Sequence, residues 1–370
     1  MAWRAPAPRC PNHRLQPNDR RRRRLAVRLG RGNPDIVAAF VYPVPYPTLP
    51  VRISVVIPTR NRAGLLQRAV AGVAAQTHPD VELIVVDDGS TPEQAERNAR
   101  LLQDMPDARY LPLQTTGADG SGPSHARGAG IAAASGDLVA FCDDDDEWCA
   151  PDFLATAAAA FGADPALELL FGNQEAVADG ALKYAVWLPR LDALAAARGA
   201  ALDALTRVTR EECLVSAGDF AHMNVCVFRK TLLAAVGGFD TAFRYAEDLD
   251  LFVRAADRAS GIAYLRRLVA RHHVPDRSRR DNASTRQDAR TRNMTLDRIA
   301  TRLVERCSTP EARAYGRRLG AQACRNLARE AAGTDRDEAL AWARRAGAWQ
   351  PTLRWAVYTW LLRGRRLFAA

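Results

Sequence analysis

Four consecutive carboxylates, Asp143, Asp144, Asp145 and Asp146, stand directly behind a short apolar run at 138–141 and just ahead of Trp148. Two unit charges ~4 Å apart repel by about 1 kcal/mol in water and about 4 kcal/mol at the dielectric near a protein surface. Crowded this closely, the carboxyls raise one another's pKa unless a cation or hydrogen-bond donors offset them. Hard divalent ions take oxygen ligands, and Mg²⁺ is typically held by one or two carboxylates plus substrate phosphates. The chemistry open to the run is therefore a divalent metal with phosphate on its open side. The competing reading, a solvated acidic turn, requires neither a strand before it nor an aromatic after it, and both are present.

A second pair, Asp87-Asp88, ends another apolar run (81–86) and leads into Gly89-Ser90. Carboxylates accept hydrogen bonds from ribose hydroxyls or a base N–H, so a nucleotide is a natural partner. The alternative is an N-cap for the helix after Pro92. His272 and His273 follow a third run near 262–265. A neutral imidazole there can complete a metal shell or meet a diphosphate, or be a packed or surface histidine.

The elements that must position these groups alternate. Strands are predicted at 53–57, 81–86, 109–113, 138–141, 167–171 and 224–228. Helices are predicted at 64–76, 92–103, 124–134, 153–161, 230–236 and 249–259, while 176–216 resists assignment. Strand–helix alternation implies βαβ units and a parallel sheet, whose functional edge is the carboxyl end of its strands. Both acidic groups fall there. The stretch 117–122 contains G-x-G without a strand before it, reads as a mobile loop, and disfavours a dinucleotide-binding fingerprint.

With 370 residues, 48% hydrophobic and 25% charged, the composition is that of a globular protein with one large domain and something smaller. Residues 1–50 read as a basic, proline-rich, disordered tail, 51–280 as the α/β domain and 285–370 as a C-terminal helical segment. The net charge of +10 sits at the ends: 1–50 carry +8, 341–370 carry +6, and the remainder is −4. A surface that recruits nucleic acid should belong to the folded domain, so no nucleic-acid partner is expected. No window approaches the ~18 apolar residues of a membrane span, and the first residues lack the apolar core of a signal peptide. The expected location is the cytoplasm. Four tryptophans and six arginines without an acid between 341 and 370 allow a peripheral contact with the inner face of the membrane, or a helix whose tryptophans pack on the domain. Seven scattered cysteines without a CxxC point to reduced thiols.

The chain resembles the family 2 glycosyltransferases, whose catalytic domain has the GT-A fold. The resemblance rests on Val55-Val56-Ile57-Pro58-Thr59-Arg60-Asn61-Arg62, on Val85-Val86-Asp87-Asp88-Gly89-Ser90, on Ala126-Arg127, and on Gly136-Asp137 through Asp146-Glu147-Trp148. It continues with Val236-Gly237-Gly238-Phe239-Asp240 and Ala246-Glu247-Asp248-Leu249-Asp250, and covers about 51–275. It implies a nucleotide-diphosphate sugar donor bound by Pro58, Thr59, Arg60, Asp88, Arg127 and Asp144. Arg60 stands where the family often has Tyr, and Gly128 where it often has Asn. The same resemblance makes Asp145 and Asp143 ligands of Mg²⁺ or Mn²⁺, with His273 as a further candidate, and Asp248 the catalytic base. A helix N-cap is the structural alternative for Asp248. The implied reaction inverts the anomeric carbon by one displacement onto an acceptor hydroxyl of a glycan, lipid-linked sugar or protein. Its rivals are a sugar-phosphate nucleotidyltransferase of similar fold and a non-enzymatic basic scaffold that binds nucleic acid.

Overall fold

The computed structural model describes residues 51–115, 119–274 and 283–364. The tail expected over 1–50 lies outside the described residues, as does part of the 117–122 loop. The first half runs β1 (Ile53–Thr59), α1 (Ala63–Ala74), β2 (Val81–Asp87), α2 (Pro92–Leu101), β3 (Ala108–Pro112), α3 (Pro123–Ala133) and β4 (Leu138–Phe141). Then come β5 (Glu147–Trp148), α4 (Phe153–Ala163), β6 (Leu169–Ala178), β7 (Ala181–Tyr184), α5 (Pro189–Ala197), β8 (Leu205–Arg207), β9 (Cys226–Arg229), α6 (Lys230–Ala235), α7 (Glu247–Arg258) and β10 (Ile262–His273). The C-terminal helices are α8 (Ala283–Arg286), α9 (Ala289–Arg306), α10 (Pro310–Ala331), α11 (Arg336–Trp349) and α12 (Leu353–Gly364).

One sheet holds the strands in the order β3-β2-β1-β4-β9-β6-β10-β5, with β7 beside β6 and β8 beside β10. β3, β2, β1 and β4 are mutually parallel, whereas β9 runs against both of its neighbours. The uninterrupted apolar runs in β1 and β2 follow from burial on both faces. Leu66, Ala69, Val70 and Val73 turn one stripe of α1 into the core. Two helices lie close to the sheet because glycines allow it. A Cβ on Gly130 of α3 would sit 2.3 Å from a methyl of Val56, and one on Gly72 of α1 would sit 3.0 Å from the Trp148 amide.

Register places the functional edge. Thr59 lies opposite Asp87 and Val56 opposite Phe141, so β1, β2 and β4 end side by side. On the far side β10 is much longer than its predicted core. It passes irregularities between Tyr264 and Ala270 and then pairs with β5, Arg271 opposite Glu147. That pairing brings the end of β10 to the acidic run.

The segment 176–216 contains the end of β6, the β7 hairpin, α5, β8 and a π-helical turn, Glu211–Ser216. Its elements are too short, and its alanines and leucines too evenly spread, to declare a period. The C-terminal helices divide. Ile299, Leu303, Ala312 and Tyr315 join the core of the sheet domain, while Cys324, Ala328, Ala343, Ala346 and Trp355 form a second small core. Asp257, in the last turn of α7, ties the two parts by accepting backbone N–H bonds from Ser308 (2.9 Å) and Thr309 (2.8 Å) at the start of α10. Among the described residues no helix is long and apolar enough to cross a membrane.

At the opposite, amino-terminal edge of the strands, Glu82 is buried and accepts from Ser54 Oγ (2.6 Å), Ser135 N (2.8 Å) and Arg109 (3.2 Å). Burial alone would raise its pKa, but the Ser54 and Ser135 hydrogen bonds prevail and hold it at about 2. Because the folded value lies below the unfolded one, this stabilisation is complete above the unfolded pKa of 4.5 and is lost as the pH falls toward about 2. Glu82→Gln should lower the unfolding free energy at pH 7 by about 2 kcal/mol. In denaturant titrations the difference from the parent should shrink steadily below pH 4.5.

Candidate active site

The acidic run leaves β4 as a tight turn, Asp146 N donating to Asp143 O (3.1 Å). Each carboxylate meets different partners. Asp144, buried, accepts from Thr59 Oγ1 (2.8 Å) and from Arg62 Nη1 (3.0 Å). The same Arg62 nitrogen reaches Asp145 (3.2 Å), and Arg68 donates to the Asp145 carbonyl (2.6 Å). Asp143 receives Arg127 Nη2 at 2.5 Å. Asp146, fully buried, is bonded by Asn224 Nδ2, by the His273 backbone N–H (2.7 Å) and by His272 Nδ1 (2.9 Å).

These environments separate the four groups electrostatically. Burial would raise the Asp143 carboxyl, but the Arg127 guanidinium and His222 hold it at about 2. Asp144 is raised by burial in spite of Arg62. Burial and the charges of Asp146 and Asp144 push Asp145 well above the usual carboxylate range. Repulsion within the turn is therefore felt most at Asp145, in spite of its contact with Arg62. Carboxylate oxygens of Asp143, Asp145 and Asp146 lie within 4.8 Å of one another. An all-oxygen set of this kind suits a hard divalent ion. Asp146, His222 and His272 form a second set of the same span.

Arg127 of α3 is the central cation. It is 6% exposed, lies over the Phe239 ring, and its Nη1 donates to Glu247 (2.7 Å) while Nη2 holds Asp143. One guanidinium thereby links the acidic turn to the start of α7. Asp248 is next on that helix. It is not an N-cap: Ala246 occupies that place with φ +56°, and Asp248 lies inside the first turn. Its Oδ1 accepts from the Leu249 N–H (2.8 Å), and its Oδ2 lies 3.6 Å from His222 Nε2. Burial raises its pKa.

The remaining positions expected to bind a donor lie along the same edge. Thr59 is committed to Asp144; Pro58 and Arg60 flank it and are half-buried. Asp88 accepts from the backbone N–H groups of Ser121 (2.9 Å) and Gly122 (2.7 Å), anchoring the loop after β3. Gly120, at φ +65°, makes this approach possible, since a Cβ would lie 2.4 Å from Asp88 Oδ2. Asp87 turns inward to Tyr110 (2.6 Å), Asn98 (2.9 Å) and Ser90 N (2.7 Å). Thr91, not either aspartate, is at the N-cap of α2.

The histidine ring that meets the turn is His272; His273 contributes its backbone N–H and directs its ring 3.6 Å from Glu147. Three site residues carry no readable signal in the sequence. His222 lies against His272 with the rings tilted by 43° (4.9 Å between centroids), beside Trp187. Asn224 accepts from Asp143 N (2.8 Å), and its carbonyl accepts from Trp148 Nε1 (2.6 Å). Arg62, although part of the first-strand motif, stands out only once its distance to Asp144 is seen.

Residues 54–175 match the model of glycosyl transferase family 2. That segment is a family 2 glycosyltransferase domain, and the architecture around it is GT-A. TarS from S. aureus, solved in complex with UDP-GlcNAc, superimposes with a TM-score of 0.60 over 80% of each chain at 19% identity. The mannosyltransferase PcManGT from Pyrobaculum calidifontis, solved with GDP-Man and Mn²⁺, gives 0.51 over 86% of each chain at 21% identity. Among sequence relatives, the GalNAc(5)-diNAcBac-PP-undecaprenol beta-1,3-glucosyltransferase of Campylobacter jejuni is 35% identical over 96 residues. That stretch is 26% of this chain and 30% of the relative, so the chain spans less than a third of the relative's length.

Arg127 offers a direct test of the site's architecture. Arg127→Met leaves Asp143 and Glu247 buried without their shared partner, and loss of one member of a buried ion pair typically costs 3–5 kcal/mol. The variant should melt well below the parent in calorimetry. Adding Glu247→Leu should recover part of the loss, because one of the stranded charges is then gone.

Proposed function

We propose that the protein is an inverting glycosyltransferase that moves a sugar from a nucleotide-diphosphate donor to an acceptor hydroxyl of a cell-surface glycan or related glycoconjugate. The observation that carries this reading is the placement of Asp248 beside the acidic turn: Arg127 spans the two, and Asp143 and Asp248 approach the same His222 nitrogen, at 3.9 and 3.6 Å. Two acidic centres with separate electrostatics, close together at the carboxyl edge of a GT-A sheet, match the two tasks of such a transfer.

Asp145, Asp143 and Asp146 would hold Mg²⁺ or Mn²⁺, which when bound neutralises charge on the leaving diphosphate. Pro58, Thr59, Arg60 and Asp88 line the side of the edge where base and ribose would lie, with Asp144 held by Thr59 for the ribose. Arg127 positions rather than binds: it is buried and both of its terminal nitrogens are committed to carboxylates. Asp248 takes the acceptor's proton as the hydroxyl attacks the anomeric carbon from the face opposite the diphosphate. Its raised pKa suits a general base, because a more basic carboxylate is the better proton acceptor as long as it remains ionised. One displacement of this type needs no carboxylate nucleophile. A lipid-linked acceptor is consistent with the name of the Campylobacter relative.

Two substitutions separate the roles. Asp145→Ala should abolish turnover and remove the dependence of donor binding on Mg²⁺ or Mn²⁺ in titration calorimetry; unchanged metal-dependent binding would exclude Asp145 as a ligand. Asp248→Asn should leave donor and metal affinity nearly unchanged while kcat and kcat/KM fall together by ~10²–10⁴. Retention of more than about a tenth of parental turnover would exclude the base assignment. Release of nucleoside diphosphate, not pyrophosphate, distinguishes the transferase from a nucleotidyltransferase.

A further inference from the structure

The last helix carries a surface that the transferase chemistry does not use. Leu353, Val357, Trp360 and Leu361 are 83%, 48%, 67% and 51% exposed. Their spacing of four, three and one sets them on a single stripe of α12. The helix is anchored with this stripe outward. Its opposite side buries Trp355, whose Nε1 donates to Ala343 O (2.8 Å) and whose ring stacks on Tyr358. Arg336 donates twice to Leu362 O, at 2.8 and 2.6 Å. Beside the stripe, α12 and α11 enclose a groove of about 600 Å³ with Leu353 and Trp360 in its walls and Arg344 and Arg363 among its lining residues.

The charge of the face is one-sided. Between Ala339 and Gly364 there is no acidic residue. Arg345 is paired with Asp297, whereas Arg344, Arg354 and Arg363 are exposed and have no carboxylate partner among the described residues. A large exposed apolar stripe marks an interaction surface, and an all-basic rim selects an anionic occupant. A second copy would bring the same positive rim against itself, and residues 1–50, at +8, would do likewise. A partner that is anionic in one layer and apolar in the next satisfies both halves of the face.

We infer that the outer face of α12, with its groove against α11, docks in the plane of a bilayer containing anionic phospholipid. A 12-residue helix is ~18 Å long and cannot cross the hydrocarbon. Lying flat, it can sink its apolar stripe ~5–10 Å into the headgroup and acyl boundary. Trp360 takes the interfacial position that indole favours, and the three arginines reach lipid phosphates, each strengthening attachment about fivefold.

The test is flotation of the full chain with vesicles of phosphatidylcholine mixed with phosphatidylglycerol, compared with phosphatidylcholine alone. The parent should float with the mixed vesicles and largely fail to do so with the neutral ones. Arg344→Gln, Arg354→Gln and Arg363→Gln combined should weaken binding to mixed vesicles about a hundredfold. Trp360→Ser with Leu361→Ser should weaken it at least tenfold at unchanged charge. All five side chains are exposed, so both variants should keep the parental melting temperature. Absence of binding to mixed vesicles, or binding that survives both variants, would overturn the inference. So would loss of a dimer in sedimentation velocity, or of duplex DNA binding, on these substitutions with vesicle binding unaffected. Because the assay reads attachment without turnover, its outcome is independent of the proposed reaction.

Discussion

Mutual repulsion among four adjacent carboxylates governs the design of this molecule. A turn carrying Asp143 to Asp146 at a sheet edge would be unstable without compensation, and the compensation is drawn from distant parts of the chain. Arg62 comes from the start of α1, Arg127 from α3, Asn224 from the approach to β9, and His272 from the end of β10. Each donor is itself buried or half-buried, so each must be delivered by an element whose place is already set. Burial and the charges of Asp146 and Asp144 outweigh Arg62 at Asp145 and hold its carboxyl well above the usual carboxylate range, and a divalent cation at the turn would offset that repulsion.

The same constraint explains features that otherwise look incidental. The long, irregular β10 runs past its core to pair with the two-residue β5 and present His272 and the His273 amide to Asp146. The left-handed Ala246 lets α7 begin where Glu247 reaches Arg127, so that Asp248 faces the turn. Strained backbone beside a functional group is tolerated where the surrounding contacts over-determine it, and here an ion pair on one side and the helix on the other do so. The C-terminal helices support this edge indirectly: Asp257 ties α7 to α10, and α9 and α10 extend the core beneath it.

Much of the α/β half was legible because its signals are local. Parallel strands buried on both faces read as apolar runs, and 138–141 corresponds to β4 residue for residue. The acidic groups were legible because they follow those runs at once. Where burial depends on partners far away, the pattern weakens. β5 is too short to have a period, β10 outruns its apolar core, β7 is exposed along its length, and β8 is half-buried throughout, so neither of the last two alternates. The four C-terminal tryptophans looked alike in the sequence, yet Trp355 is 5% and Trp360 67% exposed. That difference arises from which side of α12 meets α11.

The alternating α/β order, the sheet edge that carries Asp88, Asp143, Asp144 and Asp145, and the resemblance that singles out Asp248 can be read from the residues alone, because hydrophobic runs and the residues that end them are properties of contiguous chain. Folding adds that Arg127 is a buried bridge between Asp143 and Glu247, that His272 and His222, not the ring of His273, gather at Asp146, and that Asp248 lies within the first turn of its helix. Those outcomes depend on register, helix start and burial. These are set by packing between segments 16 to 127 residues apart, and a contact across that separation leaves no trace in the local spacing of either segment.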